Sequence, residues 1–428
     1  MRRKRIILVP DGMADEPRPE LEGRTPLEAA HTPHMDALAR GGLVGLVRTV
    51  PQGMAPGSDV ANLAVLGYDP RAVYTGRAPL EAAGIGVALG PDDVAYRCNF
   101  VTIADGVMDD FTAGHIANEA ARALIALLNQ RLAGDLPRPA GGSVAFSPGV
   151  SYRNLMVWRG DRDDVATTPP HDILDRPVGE YLPAGDGAAP LRGLTERAHA
   201  VLGEEGRHVG GRATDIWLWG QGRRPTIPTF RESRGLTGAA VAAADLVKGI
   251  SRYAGFAVPD VPGATAYLDT DYAAKADVAL AALERVDLVF VHVEAPDEAG
   301  HEGDTVEKIK AIEAIDREIV ARLAGSPLKP AVLVLPDHPT PISMRTHADD
   351  PVPFVIAIAG AQGKAVQPGG RVCGSGGAGR RREPLRGEAS TVPGRGARRY
   401  SEAEAAQTGL ALPSGAALMD LFLSSTAG

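Results

Sequence analysis

The stretch Arg5-Ile-Ile-Leu-Val-Pro-Asp-Gly12 decides the fold class, because a short apolar run ends abruptly at a carboxylate. Continuous rather than alternating apolar residues are typical of strands in a parallel sheet that is covered on both faces. Three later runs have the same character, at 286–293, 331–336 and 353–358. Helical spacing predicts helices between them, at 272–285 and 304–323. The chain is therefore predicted to be an α/β protein with a largely parallel sheet and helices on both faces.

The apolar runs that end in acidic residues fall into two blocks, one near the start of the chain and one after residue 285. This separation predicts an inserted domain. We expect a core domain at 1–90 and 240–428 and a smaller α/β lid domain at 91–239. Short strands are expected within the lid at 143–146, 154–158 and 215–219.

The composition excludes several classes of protein. The 428 residues are 44% hydrophobic and 23% charged, which predicts a folded chain of two to three domains, or of one large domain with an insertion. The formal net charge of -8 argues against a nucleic-acid partner and against attachment of the protein to an acidic membrane by charge alone. Apolar runs are shorter than a membrane span, and Cys98 and Cys373 are too few for a disulfide framework. We expect a cytoplasmic protein.

The segment 360–398 differs in composition from the rest of the chain. Between Gly360 and Tyr400, Lys364 and eight arginines stand against two glutamates, and apolar residues are few. Such a composition does not offset the entropy cost of ordering, so the segment is interpreted as a solvated loop or insertion. The alternative, an arm that binds polyanions, lacks the interleaved aromatic residues of nucleic-acid sites.

Side chains suited to divalent metals follow the predicted strands. These are Asp11, Asp297, His301, Asp337, His338 and His347. First-row divalent ions bind carboxylate and imidazole groups, and the carboxyl ends of parallel strands meet at one edge of a sheet. Each residue alone is more often a turn, cap or surface residue. The joint pattern favours two metal ions.

Ser58 is the expected seventh ligand, in the turn-rich segment 51–62. This segment leads into an apolar helix, whose N-terminal N–H groups and dipole favour a phosphoryl group at the Ser58 hydroxyl. Metal ions stabilise the serine alkoxide and hold the entering and leaving oxygens of an in-line phosphoryl transfer. Taken alone, Ser58 is more often a helix N-cap.

Four longer motifs carry a family resemblance. They are Val9-Pro-Asp-Gly-Met13, Pro56-Gly-Ser-Asp-Val-Ala-Asn62, Asp297-Glu-Ala-Gly-His-Glu-Gly-Asp304, and Asp337-His338 followed by His347. Together they resemble the archaeal-type 2,3-bisphosphoglycerate-independent phosphoglycerate mutases, which belong to the alkaline phosphatase superfamily. The resemblance covers residues 1 to about 358 and resumes near Arg399, so the segment 360–398 departs from it. It implies an alkaline-phosphatase-like core.

The resemblance also implies a reaction. Ser58 would be phosphorylated as a phosphoryl group moves between the 3- and 2-hydroxyls of glycerate, a step of glycolysis and gluconeogenesis. One metal ion would be held by Asp297, His301 and His347, and the other by Asp11, Ser58, Asp337 and His338. Manganese is the expected ion, with magnesium, cobalt and zinc as alternatives. Because water at the phosphoserine would hydrolyse it, the lid must exclude water.

The substrate, phosphoglycerate, needs cationic partners for its phosphate and its carboxylate. The expected contacts are His115, Arg153, Arg223, Arg224 and Lys248, with Arg97 as a further candidate. Arg153 and Lys248 are favoured as catalytic residues. His171 and Asp172 are a candidate acid–base pair for a glycerate hydroxyl. For each of these residues the alternative is an ordinary surface charge or a turn.

Other functions stay open at this point. A homoserine kinase-like phosphotransferase is an alternative, because transfer through a serine serves many acceptors and the lid residues decide between them. A metal-dependent phosphatase or phosphodiesterase is expected if the lid closes poorly. A further alternative, which is not an enzyme, is a metal-dependent binding protein. The oligomeric state is also open.

Overall fold

The computed structural model describes residues 3–135, 142–160, 164–204, 209, 211–360, 394 and 396–426. They form two compact units, Met1–Ala72 with Pro228–Gly428, and Val73–Ile227. The second unit begins earlier than the expected lid, because the helix Arg77–Gly84 packs Ala78 and Ala82 into the same apolar cluster as Ala95. The lid domain at 91–239 stays a prediction.

The strands of the described residues are β1 (Arg5–Pro10), β2 (Leu43–Val47), β3 (Asp93–Ala104), β4 (Val107–Asp110), β5 (Gly134–Asp135), β6 (Ser143–Val150), β7 (Arg153–Arg159), β8 (Asp215–Arg223), β9 (Gly238–Val241), β10 (Leu288–Val293), β11 (Ala331–Val334), β12 (Val352–Ile358) and β13 (Ala411–Leu412). The helices are α1 (Pro26–Ala29), α2 (Pro33–Gly41), α3 (Ser58–Val65), α4 (Pro70–Val73), α5 (Arg77–Gly84), α6 (Asn118–Leu132), α7 (Ala188–Glu204), α8 (Phe230–Arg234), α9 (Asp245–Tyr253), α10 (Tyr272–Leu283), α11 (Ala295–Glu302), α12 (Thr305–Ala314), α13 (Ala321–Ala324), α14 (Glu402–Gln407) and α15 (Gly415–Ser425). A π-helical segment, Ile315–Val320, joins α12 to α13.

Among its described residues, the first unit contains a seven-stranded sheet in the order β13-β2-β12-β11-β1-β10-β9. The central strand β1 is parallel to both neighbours, β10 and β11, and β10 is parallel to β9. Only β12 runs antiparallel to the strands beside it. All six residues of β1 are buried, as are those of β10, which is what continuous apolar runs require. The α/β fold with a largely parallel sheet is confirmed.

The second unit contains an antiparallel sheet of six strands among its described residues, in the order β4-β3-β7-β6-β5, with β8 paired to β3. Its core combines apolar residues of the sheet with those of α6 and α7. The sequence predicted β6, β7 and β8 but missed the 12-residue β3, whose apolar run is interrupted by Arg97 and Asn99. Cys98 is a buried, free thiol in β3.

Tyr400 anchors the chain after the basic segment. Its side chain is fully buried, and its hydroxyl lies 2.8 Å from the carbonyl oxygen of Pro353 and 3.1 Å from that of Val334. The interpretation of 360–398 as a solvated loop falls largely on residues 361–393, outside the described residues. Within the described part of the chain, no helix is long and apolar enough to cross a membrane.

Candidate active site

Residues at the carboxyl ends of the central strands lie together in the first unit. Asp11 directly follows β1, and Asp337 and His338 follow β11 by a few residues. Asp297 and His301 lie one turn apart on α11, directly after β10. Parallel strands in register bring these ends to one edge of the sheet. The side chains predicted as metal ligands therefore form one cluster.

Ser58 is the first residue of α3, and its side chain is partly buried. Its Oγ lies 3.1 Å from Nε2 of His338 and 3.5 Å from Oδ2 of Asp11. The N-cap is Gly57, and no side chain caps the helix. Ser58 is thus not the N-cap that a lone serine before a helix most often is, because its hydroxyl faces the carboxylate and imidazole groups instead.

Two groups of donor atoms could each hold a metal ion, with all atoms of a group within 4.8 Å of one another. One group is Asp11, Asp337 and His338. The other is Asp297, His338 and His347. His301 adjoins the second group, since its Nε2 lies 3.3 Å from Oδ2 of Asp297 and 3.0 Å from Nε2 of His347. The cluster thus brings together all seven predicted ligands, and the division into two sets of ligands stays a prediction.

The electrostatics of the cluster favour a cation. Burial and the neighbouring carboxylates of Asp337 and Asp297 hold the pKa of Asp11 well above its usual range. Oδ1 of Asp11 is buried and makes no hydrogen bond within the described part of the chain. Burial raises the pKa of Asp337, but the imidazoles of His338 and His292 outweigh it and lower that pKa. Crowded carboxylates with an unpartnered oxygen are what a divalent ion would neutralise.

The carboxylate of Asp297 and the imidazole of His301 shift each other's pKa. Burial alone would lower the pKa of His301, but its contact with Asp297 raises that pKa to about 9. In turn burial raises the pKa of Asp297, and the hydrogen bonds of His301 and His347 lower it well below its usual range. A bound cation would take the place of the proton on His301, because a histidine binds a metal ion in its neutral form.

Two residues that make hydrogen bonds to predicted ligands were not singled out as functional by sequence reasoning. Asn62 Nδ2 lies 2.8 Å from Oδ2 of Asp337 and 2.8 Å from the carbonyl oxygen of Ser58, so it links the start of α3 to the Asp337 carboxylate. Thr340 Oγ1 donates a hydrogen bond to Oδ1 of Asp297. Asn62 could have been found from the sequence, because it lies one helical turn after Ser58 in the motif Pro56–Asn62. Thr340 lies in a loop, where no periodic pattern indicates its contact.

Candidate substrate residues of the second unit lie along a series of aromatic contacts. The ring of Tyr152 is 6.0 Å from that of His115, and the guanidinium of Arg153 lies 5.1 Å from its centroid. Phe111 contacts both Tyr152 and His171, at 6.3 and 6.2 Å. The structure therefore brings together His115, Arg153 and His171 within this unit.

The remaining candidates have other surroundings. His171 Nε2 lies 3.7 Å from Oδ1 of Asp172, and both side chains are about half exposed. Arg223 is the last residue of β8 and Arg224 is exposed beside it. In the first unit, Lys248 lies on α9 with its Nζ 3.5 Å from Oδ1 of Asp245.

Arg97 already forms an ion pair with a partly buried carboxylate. Its Nε lies 2.9 Å from Oε2 of Glu81, and its guanidinium stacks 4.4 Å from the ring centroid of Trp219. Burial lowers the pKa of Arg97 to about 10. These contacts favour a role in packing the second unit over a contact with the substrate.

Known proteins are similar to this chain in sequence and in fold. The family model described as 2,3-bisphosphoglycerate-independent phosphoglycerate mutase matches residues 39–206. The chain is 52% identical to 2,3-bisphosphoglycerate-independent phosphoglycerate mutase 2 of Methanothermobacter thermautotrophicus, over 85% of this chain and 91% of that protein. It is 50% identical to the 2,3-bisphosphoglycerate-independent phosphoglycerate mutase of Methanothrix thermoacetophila, over 83% of this chain and 91% of that protein.

A solved structure of a Pyrococcus horikoshii protein is similar over the whole chain. It covers 100% of this chain and 98% of its own, with a TM-score of 0.76 and 28% sequence identity. The identity to the curated relatives extends over most of both chains. The chain therefore belongs to the family of 2,3-bisphosphoglycerate-independent phosphoglycerate mutases.

Proposed function

We propose that this chain interconverts 3-phosphoglycerate and 2-phosphoglycerate without 2,3-bisphosphoglycerate, by two phosphoryl transfers through Ser58. The observation that carries the proposal is the position of the Ser58 hydroxyl, at the start of α3 and 3.1 Å from His338 Nε2, within a cluster of buried carboxylates and imidazoles. The relatives of this family bear the name of that activity.

The donor set fits two divalent ions. We propose that Asp297, His301 and His347 hold one ion and that Asp11, Ser58, Asp337 and His338 hold the other. Nδ1 of His338 faces the carbonyl oxygen of Pro339 at 3.3 Å, which favours a proton on Nδ1 and leaves Nε2 as the donor to a metal. When bound, such ions lower the pKa of a hydroxyl and balance the charge of the transferred phosphoryl group. Manganese is the ion we propose.

Ser58 takes part in two phosphoryl transfers. Its Oγ attacks the phosphorus atom and loses its proton, the bond from phosphorus to the C3 oxygen of glycerate breaks, and that oxygen takes up a proton. In the second transfer the C2 hydroxyl attacks the phosphorus of the phosphoserine and loses its proton, the bond from phosphorus to Ser58 Oγ breaks, and Oγ takes up a proton. Backbone N–H groups at the start of α3 stabilise the anionic phosphoryl group during both transfers.

The glycerate must stay bound between the transfers while water is kept out. We propose Arg153 and Lys248 as the main cationic contacts, with His115, Arg223 and Arg224 as further contacts. His171 and Asp172 are proposed as the pair that gives and takes the proton of a glycerate hydroxyl. The exposed guanidinium of Arg153, stacked on Tyr152, supports its assignment as an anion contact.

The test is an assay of the purified chain with Mn²⁺ and 3-phosphoglycerate, without added 2,3-bisphosphoglycerate. Both 2-phosphoglycerate and inorganic phosphate are followed. We expect isomerisation with little release of phosphate. Release of phosphate alone would replace the proposal with a phosphatase, and the formation of phosphohomoserine from ATP and homoserine, without isomerisation, would replace it with a kinase.

A further inference from the structure

A buried histidine that is not among the proposed metal ligands lies behind Asp11. His292 belongs to β10 and pairs with Val9 of β1, and its side chain is 0% exposed. Its Nε2 lies 3.4 Å from Oδ2 of Asp11, and its Nδ1 lies 3.4 Å from Oε1 of Glu294. Neither nitrogen makes a hydrogen bond of good geometry within the described residues. A buried polar ring in this situation needs an explanation beyond packing.

Glu294, which faces the other side of the ring, is itself held firmly. Lys275 is fully buried, and its Nζ lies 2.8 Å from Oε2 of Glu294 and 3.0 Å from the carbonyl oxygen of His292. The backbone N–H groups of Ala243 and Ala244 donate to Oε1 of Glu294. The carboxylate beside Nδ1 is therefore held by three hydrogen bonds, one from Lys275 on α10 and two from the backbone just before α9.

We infer that His292 is a positioning residue for Asp11, with Glu294 and Lys275 holding the imidazole in place. The two oxygens of Asp11 then have different tasks. Oδ2 lies 3.4 Å from Nε2 of His292 and 3.5 Å from Oγ of Ser58, whereas Oδ1 is buried without a hydrogen bond and lies 3.5 Å from His338 Nε2. When a metal ion is bound, an N–H donor at Oδ2 would set the plane of the carboxylate and leave Oδ1 for the cation.

The inference rests on the proposed function in one respect, which is that Asp11 binds a metal ion. It adds that the affinity for the ion held by Asp11 depends on the contacts that link Lys275, Glu294 and His292. The affinity for the other proposed ion, held by Asp297, His301 and His347, does not. Removal of a residue that orients a metal ligand typically lowers metal affinity by about 10- to 100-fold. A selective effect on one of two ions is not expected from a residue that only fills space, because a packing defect would weaken both sites.

The test uses two substitutions of the same ring. In His292→Gln the side-chain amide reaches the place of Nε2 and keeps a donor for Asp11, whereas in His292→Asn it reaches only the place of Nδ1. Binding of Mn²⁺ to the metal-free full chain is measured by calorimetry for the wild type and both variants. We expect His292→Asn to weaken one of two binding steps by about 10- to 100-fold, and His292→Gln to restore it to within a few-fold of the wild type. His31→Asn, at an exposed histidine, is the control.

Each outcome decides a different point. Equal Mn²⁺ affinities in wild type and His292→Asn, or an equal loss at both binding steps in both variants, would overturn the inference. A wild type that binds no metal would instead contradict the proposed function. If His292→Asn does not fold, the double variant Glu294→Gln with Lys275→Met removes the support of the ring without leaving a buried charge, and we expect it to weaken the same single step. An unchanged step in that variant would also overturn the inference.

Discussion

Gly12 lies where a single methyl group would displace a proposed metal ligand. Its backbone has φ +60°, and a Cβ built on it would lie 2.5 Å from Oδ1 of Asp297, 2.5 Å from Oγ1 of Thr340 and 2.8 Å from Cα of Asp297. Atoms in ordinary contact are about 3.5–4 Å apart. Gly12→Ala therefore requires Asp297 and Thr340 to move by about 1 Å.

The expected effect has two parts. A left-handed backbone at a non-glycine residue costs about 1–2 kcal/mol of folding free energy. The movement of Asp297 adds a loss of function, because a misplacement of about 1 Å at a catalytic group lowers kcat/KM by about 100-fold. The strain lowers the stability, and the displacement lowers both metal affinity and activity.

Gly23→Ala separates these two effects. Gly23 has φ +80°, but a Cβ there would meet nothing within 4 Å. Urea unfolding, Mn²⁺ titration and the isomerisation assay are compared for the two variants and the wild type. We expect both variants to lose stability and only Gly12→Ala to lose metal affinity and activity. Equal metal affinity and activity in the two variants would refute the reasoning.

Two further predictions concern charges buried in the first unit. Lys308 Nζ lies 2.7 Å from Oδ2 of Asp15, with both side chains 0% exposed, so Lys308→Met should lower the unfolding free energy by about 3–5 kcal/mol, and adding Asp15→Asn should recover part of that loss in urea unfolding. Burial raises the pKa of Glu402 from its ordinary value of 4.5 to about 7. Between these values the folded chain keeps a proton that the unfolded chain loses, so this carboxyl contributes less stability as pH rises through that range. The unfolding free energy of Glu402→Gln relative to wild type should therefore increase from pH 4.5 to 7, and a constant difference would contradict the assignment.

The cluster of predicted metal ligands could be located from the sequence because local patterns carry most of it. Continuous apolar runs locate β1, β10 and β11, and each is followed within a few residues by a carboxylate. Parallel pairing then brings Asp11, Asp297 and Asp337 to one edge, which requires no knowledge of side-chain packing. The spacing of Asp297 and His301 predicted a helical turn or a compact loop, and α11 is that helix.

The supporting contacts were not predictable in the same way. Thr340 and Asn62 reach the ligands across long sequence separations, 43 residues to Asp297 and 275 to Asp337. His292 reads as one polar residue inside an apolar run, and only the register of β10 against β1 brings it beside Asp11. β3 was missed because a strand in the middle of an antiparallel sheet carries buried polar residues, Arg97 and Asn99, that interrupt its apolar pattern.

The measurement that tests the central claim most directly is the isomerisation rate of Ser58→Ala, beside Ser233→Ala as a matched substitution of an exposed serine. Both variants are loaded with Mn²⁺ and assayed with 3-phosphoglycerate without 2,3-bisphosphoglycerate. We predict that Ser58→Ala loses about 10³-fold or more in kcat, that it still binds Mn²⁺ through the remaining ligands, and that Ser233→Ala matches the wild type. Near-normal isomerisation by Ser58→Ala would contradict the role of Ser58 as the residue that carries the phosphoryl group.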